Sequence, residues 1–349
     1  EGGREEINGE IISALKQLER ERGIAIDDLI EAMEAALLSA YRKHFGKAEN
    51  VKVKFDRETG EIKVISRREV VSQVRDPRKD ISLSEAQKRN PKYKEGDFIE
   101  EEIQAQGFGR IAAQTAKQVV MQRLRNIERD MIYEEFSERE GDVVTGQIIR
   151  VDRGVVIVDL GRAEGFILPK EQPKGERYRE RDRIKCYVLE VKKTTKGPQI
   201  LLSRTHPGLL KRLLELEVPE IRDGIVEIKA LAREAGSRSK VAVAANLPEV
   251  DALGACVGPR GSRVQVIVQE LRGERIDIIQ WDDDPQVFIG NALSPARVID
   301  VQLDVDERIA RVTVPDNQLS LAIGRDGQNA RLAAKLTGWK IDIRSDRDM

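Results

Sequence analysis

Two pairs of glycines near the carboxyl end of the chain have a spacing that suits the binding of a phosphate group. Gly258 and Gly261 enclose Pro-Arg, and Gly324 and Gly327 enclose Arg-Asp. Because glycine has no Cβ, a phosphate can approach its backbone closely, and the N–H groups that open a following helix attract the anion. The spacing alone is weak evidence, since 27 glycines in 349 residues give about two such pairs by chance.

The sequence around the two pairs repeats as well, which chance does not supply. Each pair follows a short apolar segment, precedes a run with helical spacing, and leads to an Ile-Asp-Ile segment, at 276–278 and 341–343. The loops lie 66 positions apart (324 minus 258) and the closing segments 65 apart (341 minus 276), which indicates one unit built twice. The order helix, G-x-x-G, helix, strand is typical of a KH domain, whose loop clamps about four nucleotides.

We predict that both loops bind single-stranded RNA. In this interpretation the glycines admit the RNA backbone, three arginines supply charge, and three polar residues after the second loop reach base edges or phosphates. These residues are Gly258, Gly261, Gly324 and Gly327; Arg260, Arg263 and Arg325; and Gln328, Asn329 and Arg331. Two features weaken the site, because Pro259 has no N–H and Asp326 offsets the charge of Arg325. The alternative is two helix-turn-helix corners without a ligand.

The segment 141–205 carries an excess of positive charge and has the pattern of a small β-barrel. The chain has a net charge of −1, whereas residues 141–210 hold 14 basic against 9 acidic side chains. Five short strands are predicted, in an order that resembles the ribosomal S-one RNA-binding domain, a closed barrel of OB type. Residues 151–156 lack the aromatic side chains that stack on bases, which leaves Phe166 as the platform. RNA binding here should depend on basic residues and be sensitive to salt. These residues are Arg150, Arg153, Arg162, Lys192, Lys193 and Lys196.

The first 140 residues predict a mixed α/β domain that ends in a long helix. Helical spacing of apolar residues from Ile7 to Leu18 and from Leu29 to Tyr41 indicates two helices, and alternating segments at 51–55 and 62–64 indicate a hairpin. A glycine pattern that begins at Gly107 matches a dinucleotide-binding motif. That motif requires a second parallel strand, whereas here one helix continues for about eight turns, so we reject a nucleotide site.

Two segments resemble the NusA family of bacterial transcription elongation and termination factors. Residues 108–118, Phe-Gly-Arg-Ile-Ala-Ala-Gln-Thr-Ala-Lys-Gln, resemble the signature of its N-terminal domain, and residues 232–243 resemble its first KH unit. The resemblance covers essentially the whole chain and implies a multi-domain α+β protein whose two tandem KH domains are of the prokaryotic type (type II). The four domains are 1–140, which docks on RNA polymerase; the barrel, 141–205; the first KH domain, 206–281; and the second KH domain, 282–349.

The resemblance also implies a function and its partners. The barrel and KH domains would hold the nascent single-stranded RNA while the N-terminal domain docks on RNA polymerase, so that pausing, termination and antitermination are modulated. Arg110, Lys117 and Arg123 on the long helix are the candidate polymerase contacts. Other elongation or antitermination factors are further expected partners, and the protein is expected to be a cytoplasmic monomer.

Neither an enzyme nor a cofactor site is expected. The chain has only two cysteines, Cys186 and Cys256, and two histidines, His44 and His206, so a four-ligand zinc site is out of reach. No apolar run of about twenty residues is present, and we expect no membrane association. One alternative is an RNA-processing enzyme that borrows barrel and KH modules, which would need a catalytic domain within 1–140. The other is a ribosome-associated KH protein, against which the signature at 108–118 argues.

Overall fold

The chain divides into two compact units, Glu1–Arg129 and Asp130–Met349. The computed structural model describes residues 12–13, 26–46, 50–56, 59–103 and 108–347. Of the helix predicted from Ile7 to Leu18, only Ile12 and Ser13 lie within these ranges, and both are helical; Gly107 lies outside them. None of the helices in the described ranges combines the length and apolar character that a bilayer crossing requires.

The first unit combines helices with a four-stranded sheet. In β1 the apolar residues are buried and Lys52 and Lys54 are exposed, which is the alternation of a half-buried strand. Leu37 of α1, Val53 of β1 and Ala112 of α3 share one buried core, so both long helices pack on the sheet. The elements are α1 (Ile26–Phe45), β1 (Val51–Phe55), β2 (Ile62–Val71), β3 (Asp80–Ser82), α2 (Leu83–Arg89), β4 (Phe98–Glu102) and α3 (Phe108–Ser137).

The second unit begins with a closed barrel of five strands in the order β5-β6-β7-β9-β8. Its neighbours are antiparallel except for β7 and β9, which are parallel. The interior is close-packed: a Cβ on Gly165 would lie 2.4 Å from Leu202 Cδ1, so only glycine fits there. The strands are β5 (Val143–Asp152), β6 (Val155–Asp159), β7 (Glu164–Ile167), β8 (Arg183–Thr194) and β9 (Gly197–Ser203).

Two units of the same topology follow the barrel. Each has a helical start, two antiparallel strands, two short helices around a glycine loop, and a last strand parallel to the middle one. This is the prokaryotic type of KH fold, as the sequence predicts. The first consists of α4 (Pro207–Glu217), α5 (Pro219–Arg222), β10 (Val226–Glu234), β11 (Arg238–Ala245), α6 (Ala252–Val257), α7 (Ser262–Glu270) and β12 (Arg275–Gln280). The second consists of α8 (Pro285–Ala292), β13 (Asp300–Asp304), β14 (Ile309–Val314), α9 (Leu319–Ile323), α10 (Gln328–Thr337) and β15 (Lys340–Ser345).

An apolar seam joins the two KH units. Along β11, Val241 and Val243 point into the core of the first unit, while Ala242 points into the core of the second. A strand that is covered on both faces in this way belongs to both cores. Asp284, in the acidic run between the repeats, caps α8 by accepting a hydrogen bond from Gln286 N at 2.9 Å. The seam fixes the orientation of one glycine loop relative to the other.

Candidate functional site

The two glycine loops, the first at 258–261 and the second at 324–327, have the same backbone conformation although their sequences differ. The first glycine has φ 74°, ψ 171° in one loop and φ 76°, ψ 169° in the other. The third residue is left-handed in both, at φ 55°, ψ 27° and φ 52°, ψ 29°, and so is the second glycine, at φ 79° and φ 71°. The repeat in the sequence is therefore matched by a repeat of the backbone dihedral angles, residue by residue.

The two glycines of each loop have different tasks. The first glycine lies against the helix that follows: a Cβ on Gly258 would lie 2.7 Å from Arg263 Cγ, and one on Gly324 would lie 2.8 Å from the backbone nitrogen of Asn329. The second glycine of either loop has nothing within 4 Å of its Cβ position. The first glycine thus closes the loop on the protein, and the second leaves an open approach to the backbone.

The helices that follow the loops begin after the second glycine of each loop, and their first N–H groups, those of Ser262 and Gln328, donate to the carbonyls of Pro259 and Arg325. The second glycine is the N-cap of α7 in the first unit and of α10 in the second, and no side chain accepts a hydrogen bond there. The amino end of a helix is the positive end of its dipole, which attracts an anion. An open glycine at this end lets a phosphate approach the backbone.

The charge of the two loops differs although their shape is shared. Arg260 is exposed at the third position of the first loop. In the second loop Asp326 occupies that position, and its Oδ2 lies 3.7 Å from Arg325 Nε, with both side chains about nine-tenths exposed at 94% and 88%. The first loop is therefore a net cation, whereas the second loop is formally neutral, as predicted.

Two of the predicted RNA contacts, Arg263 and Asn329, make hydrogen bonds that hold the loops. Asn329 is fully buried and donates from Nδ2 to the carbonyls of Leu293 and Ala322, each at 3.0 Å, so it is out of reach of a ligand on the surface. Arg263 donates to Glu220 Oε2 at 2.8 Å and to a carbonyl of α6. The sequence repeat could have indicated this shared structural role, because Arg263 and Asn329 are 66 positions apart and follow their loops at the same position.

Gln328 and Arg331 connect the second loop to the first KH unit. Gln328 donates to Glu234 Oε2 at 2.9 Å and to Ser237 Oγ at 2.7 Å. Arg331 binds both carboxylate oxygens of Glu234, at 2.6 and 3.1 Å, and donates to the carbonyl of Asp326 at 3.0 Å. The hydrogen bond from Arg331, with a second one from Gln328, lowers the pKa of Glu234 to about 2. In this structure both side chains serve the joint between the KH units.

A groove with a mixed polar and apolar lining runs from the helix before the first loop towards the second KH unit. Its volume is about 580 Å³, and it is lined by Leu253 of α6, Ile278 of β12, Val287 of α8 and Ile299. Leu253, Val287 and Ile299 are 37%, 44% and 54% exposed. Polar residues such as Gln280, Gln286 and Asn291 line the rest of the groove, so it offers hydrogen-bonding groups as well as apolar surface near the first loop.

On the barrel, the six predicted basic residues fall into two groups. Arg162 donates to Glu135 at 3.0 Å, Lys192 lies 3.0 Å from Glu190, and Lys193 lies 2.5 Å from Asp130. The hydrogen bond to Asp130 raises the pKa of Lys193. The other three are exposed and form no ion pair within the part of the chain that the structure describes: Arg150, Arg153 and Lys196. Phe166 is half-buried on β7, so its ring is only partly open to a base.

Buried ion pairs fix the barrel to the first KH unit. Arg204, at the end of β9, is 1% exposed and pairs with Glu176 of the barrel. It also donates to the carbonyl of Lys185 in β8 at 2.8 Å and to that of Glu270 in α7 at 2.9 Å. Removing one partner of such a buried pair leaves an unpaired charge, which is strongly destabilising. The barrel therefore has one defined orientation on the first KH unit.

In the first unit, the predicted polymerase contacts Arg110, Lys117 and Arg123 are all exposed on α3. Arg110 and Lys117 are seven residues apart, which places them on the same side of the helix, whereas Arg123, six residues further on, is turned from Lys117 by about 120°, since a helix has about 3.6 residues per turn. Arg123 lines a cavity of about 450 Å³ between α3 and α1, which includes Leu29 and Val119. Arg123 therefore lies beside an apolar recess, and Arg110 and Lys117 lie on another side of α3.

The two cysteine thiols and the histidine of the second unit have structural roles. Burial raises the pKa of the Cys186 thiol to about 12 and that of the Cys256 thiol to about 11, so neither is a thiolate at neutral pH. His206 caps α4, where its Nδ1 accepts a hydrogen bond from Gly208 N at 3.1 Å. Within the described ranges, no three His, Cys, Asp or Glu side chains are grouped so as to hold a metal ion.

A closed OB-type barrel joined to two KH units with open glycine loops defines a modular RNA-binding protein. Sequence profiles of four domains match the chain in order: the NusA N-terminal domain at residues 10–130, the S1 RNA binding domain at 137–203, the NusA-like first KH domain at 204–281 and the NusA-like second KH domain at 285–349.

Curated relatives match over almost the whole chain. The transcription termination/antitermination protein NusA of Halalkalibacterium halodurans is 57% identical over 98% of this chain and 90% of its own length. The protein of the same name from Bacillus subtilis is 56% identical over 98% of this chain and 92% of its own length. That of Mycobacterium bovis is 48% identical over 96% and 93%. The chain belongs to the NusA family.

Proposed function

We propose that this chain is a transcription termination/antitermination factor that holds nascent single-stranded RNA on its barrel and KH units. The observation that carries the proposal is the pair of matched loops, each with an open glycine at the amino end of a helix that has no side-chain cap. The proposal is supported by two relatives, 57% and 56% identical to this chain, that are named transcription termination/antitermination protein NusA. The RNA backbone lies against both loops, and bases lie in the groove beside the first loop.

Contact with RNA polymerase through the first unit is the second part of the proposal. Its support is the NusA N-terminal domain match at 10–130 and the exposed basic residues on α3. Arg110, Lys117 and Arg123 are the contacts, and other elongation or antitermination factors join the same complex. The protein acts in the cytoplasm as a monomer, with domain boundaries near residues 140, 205 and 281.

An RNA-processing enzyme is not favoured as the alternative. The four matched domains account for most of the chain, and none of them is named as a catalytic domain. The relatives carry the name of a regulatory factor and not of an enzyme. A ribosome-associated role is not favoured either, because the N-terminal domain match is to a transcription factor family.

RNA binding is tested with a variant that fills both open glycine positions, Gly261→Asp with Gly327→Asp. Both positions are left-handed and have free space, and Asp adopts that conformation more readily than most residues. The matched control is Asn at the same two positions, which has the same size without the charge. The ligand is a single-stranded RNA of about 12 nucleotides, since each loop clamps about four.

The Asp variant should lose RNA affinity by about tenfold or more, and the Asn variant clearly less, because only the carboxylates repel phosphates. Equal affinity of wild type and both variants over a salt series would show that the loops do not bind RNA.

For the polymerase contact, Arg110→Glu with Arg123→Glu should reduce co-purification of RNA polymerase with the full chain. Lys88→Glu with Lys92→Glu, at two exposed positions in and after α2, is the control for the same amount of added negative charge.

A further inference from the structure

We propose that a cleft between the barrel and the first KH unit, the junction cleft, is a further binding site for RNA phosphates. The cleft has a volume of about 420 Å³. Its barrel side is the loop between β7 and β8, with Lys174, Arg177 and Arg179, and its KH side is formed by Gly236, Leu271 and Arg272. The proposal rests on the proposed function, since it extends the path of the same RNA strand to a place outside both glycine loops.

The charge of the junction cleft is positive because its two carboxylates are already paired. Glu176 is 4% exposed and is bound by Arg204 and by Arg272, whose Nε lies 3.3 Å from Glu176 Oε1. Asp182 accepts a hydrogen bond from Arg272 Nη2 at 3.3 Å. The side chains of Lys174, Arg177 and Arg179 form no ion pair with any residue in the described ranges. Three cations therefore face the cleft without a counter-charge on the protein.

The cations sit on a loop that the first KH unit holds in place. A Cβ on Gly236 would lie 2.9 Å from Pro173 Cβ and 3.2 Å from the carbonyl of Lys174, so this loop packs closely on the turn between β10 and β11. Arg272 donates to the carbonyl of Arg177 and lies over the ring of Tyr178 at 5.7 Å. Cations that are already oriented bind phosphate with less loss of conformational entropy than cations on a free loop.

The same turn connects the junction cleft to the second glycine loop. Gly236 lies between Glu234 and Ser237, which accept the hydrogen bonds of Gln328 and Arg331 in α10. The second loop immediately precedes α10. In the turn at 234–238, Gly236 thus borders the cleft, while Glu234 and Ser237 contact α10 next to the second loop. A strand that leaves the second loop along this turn comes next to the cations of the cleft.

The junction cleft accounts for part of the excess positive charge of residues 141–210. Of the six other basic residues of the barrel that were predicted to bind RNA, three are paired with acids in the structure. The segment Lys-Gly-Glu-Arg-Tyr-Arg at 174–179 reads as mixed charge in the sequence. Only the fold shows that its acid is buried in a pair while its cations remain exposed.

The test compares three variants of the full chain in the binding of a single-stranded RNA of about 24 nucleotides, long enough to pass both loops and the cleft. The cleft variant carries Lys174→Gln, Arg177→Gln and Arg179→Gln. The matched control carries Lys88→Gln, Lys92→Gln and Lys94→Gln, three exposed lysines of the first unit, which lowers the net charge equally. The third variant is Gly261→Asp with Gly327→Asp.

The cleft variant should bind about tenfold more weakly, and its slope of log affinity against log salt should fall by about two, since each phosphate contact on a single strand contributes about 0.7. The control should bind as wild type does. A fourth variant, Arg177→Lys with Arg179→Lys, should bind as wild type does, because it keeps the charges; weak binding by this variant would contradict a phosphate site.

The outcomes separate this proposal from the proposed function. If the loop variant loses affinity while the cleft variant equals wild type, the loops bind RNA and the junction cleft does not. Loss of affinity in the lysine control as large as in the cleft variant would show a general charge effect and would also overturn the site. If wild type binds no RNA, the proposed function fails, and the cleft proposal fails with it.

Discussion

The two KH units use the same closure of the loop but present different charge to an anion. After each loop, one side chain donates hydrogen bonds back to the preceding helix: Arg263 to Ala255, and Asn329 to Ala322. The outward positions differ, since Arg260 stands in the first loop where Asp326 stands in the second. The closure is therefore a structural requirement of the loop, whereas the charge that the loop offers can vary independently of it.

In both loops the first glycine also differs from the second in backbone conformation. The first glycines have φ near 75° and ψ near 170°, a region that is essentially restricted to glycine. The second glycines are in the left-handed region, which costs another residue about 1–2 kcal/mol. Substitutions at the first position should thus report on the fold, and substitutions at the second should report on the ligand.

The largest expected effect is that of Gly324→Ala, about 3 kcal/mol or more of lost stability, from backbone strain together with overpacking. A Cβ there meets the backbone nitrogen of Asn329, which cannot move without the helix. Gly258→Ala should cost less, because its Cβ meets the side chain of Arg263. Gly327→Ala should cost about 1 kcal/mol.

Urea unfolding followed by tryptophan fluorescence measures these differences. Trp281 and Trp339 are the two tryptophans of the chain, and both pack against the core that contains the second KH unit. Equal losses at positions 324 and 327 would contradict the division of tasks between the two glycines.

The next effect is that of Asn329→Ala, about 2 kcal/mol, because two buried carbonyls lose their donor. Arg263→Ala should cost about 1 kcal/mol, since the Arg263 and Glu220 side chains are 29% and 30% exposed and water replaces part of the contact. The same urea experiment measures both. If Asn329→Ala instead kept full stability and lost RNA affinity, Asn329 would be a ligand contact, as its sequence position first suggested.

The domain content of the chain could be predicted from the sequence, whereas the roles of single polar residues could not. The repeat of 66 positions, the short strands from 143 and the segment at 108–118 each depend on local pattern, and the four domain matches confirm them. Whether a polar side chain faces solvent depends on contacts between distant segments. Arg331 meets Glu234, and Arg162 meets Glu135, and no local pattern contains such pairs.

A smaller effect tests the charge difference between the loops. Asp326→Asn removes the carboxylate that offsets Arg325 and keeps a residue that tolerates the left-handed conformation. RNA affinity should rise about threefold at moderate salt, and the salt dependence should steepen by about 0.7, one phosphate contact. Arg260→Gln, at the equivalent position of the first loop, should change both quantities in the opposite direction. Unchanged binding in both variants would mean that loop charge does not contribute.

The smallest effect concerns the contact of Glu234 with Arg331 and Gln328, which joins the second loop to the first KH unit. The hydrogen bond from Arg331 lowers the pKa of Glu234 from 4.5 to about 2, so the folded protein favours the carboxylate. This contribution to stability is complete above pH 4.5 and is lost as the pH falls towards 2. Glu234→Gln should therefore lower the melting temperature by a few degrees at neutral pH.

The pH dependence distinguishes this contact from general packing. The difference in melting temperature between wild type and Glu234→Gln should shrink as the pH falls below 4.5, because the wild-type carboxylate then binds a proton on unfolding. Glu227→Gln, at an exposed site of β10 that pairs with Lys229, is the matched control and should show little difference at either pH. A difference that stayed constant with pH would assign the effect to packing. If the difference shrinks as expected, the ion pair between Glu234 and Arg331 holds the second loop in position. An RNA phosphate that binds Arg331 would then have to displace this ion pair.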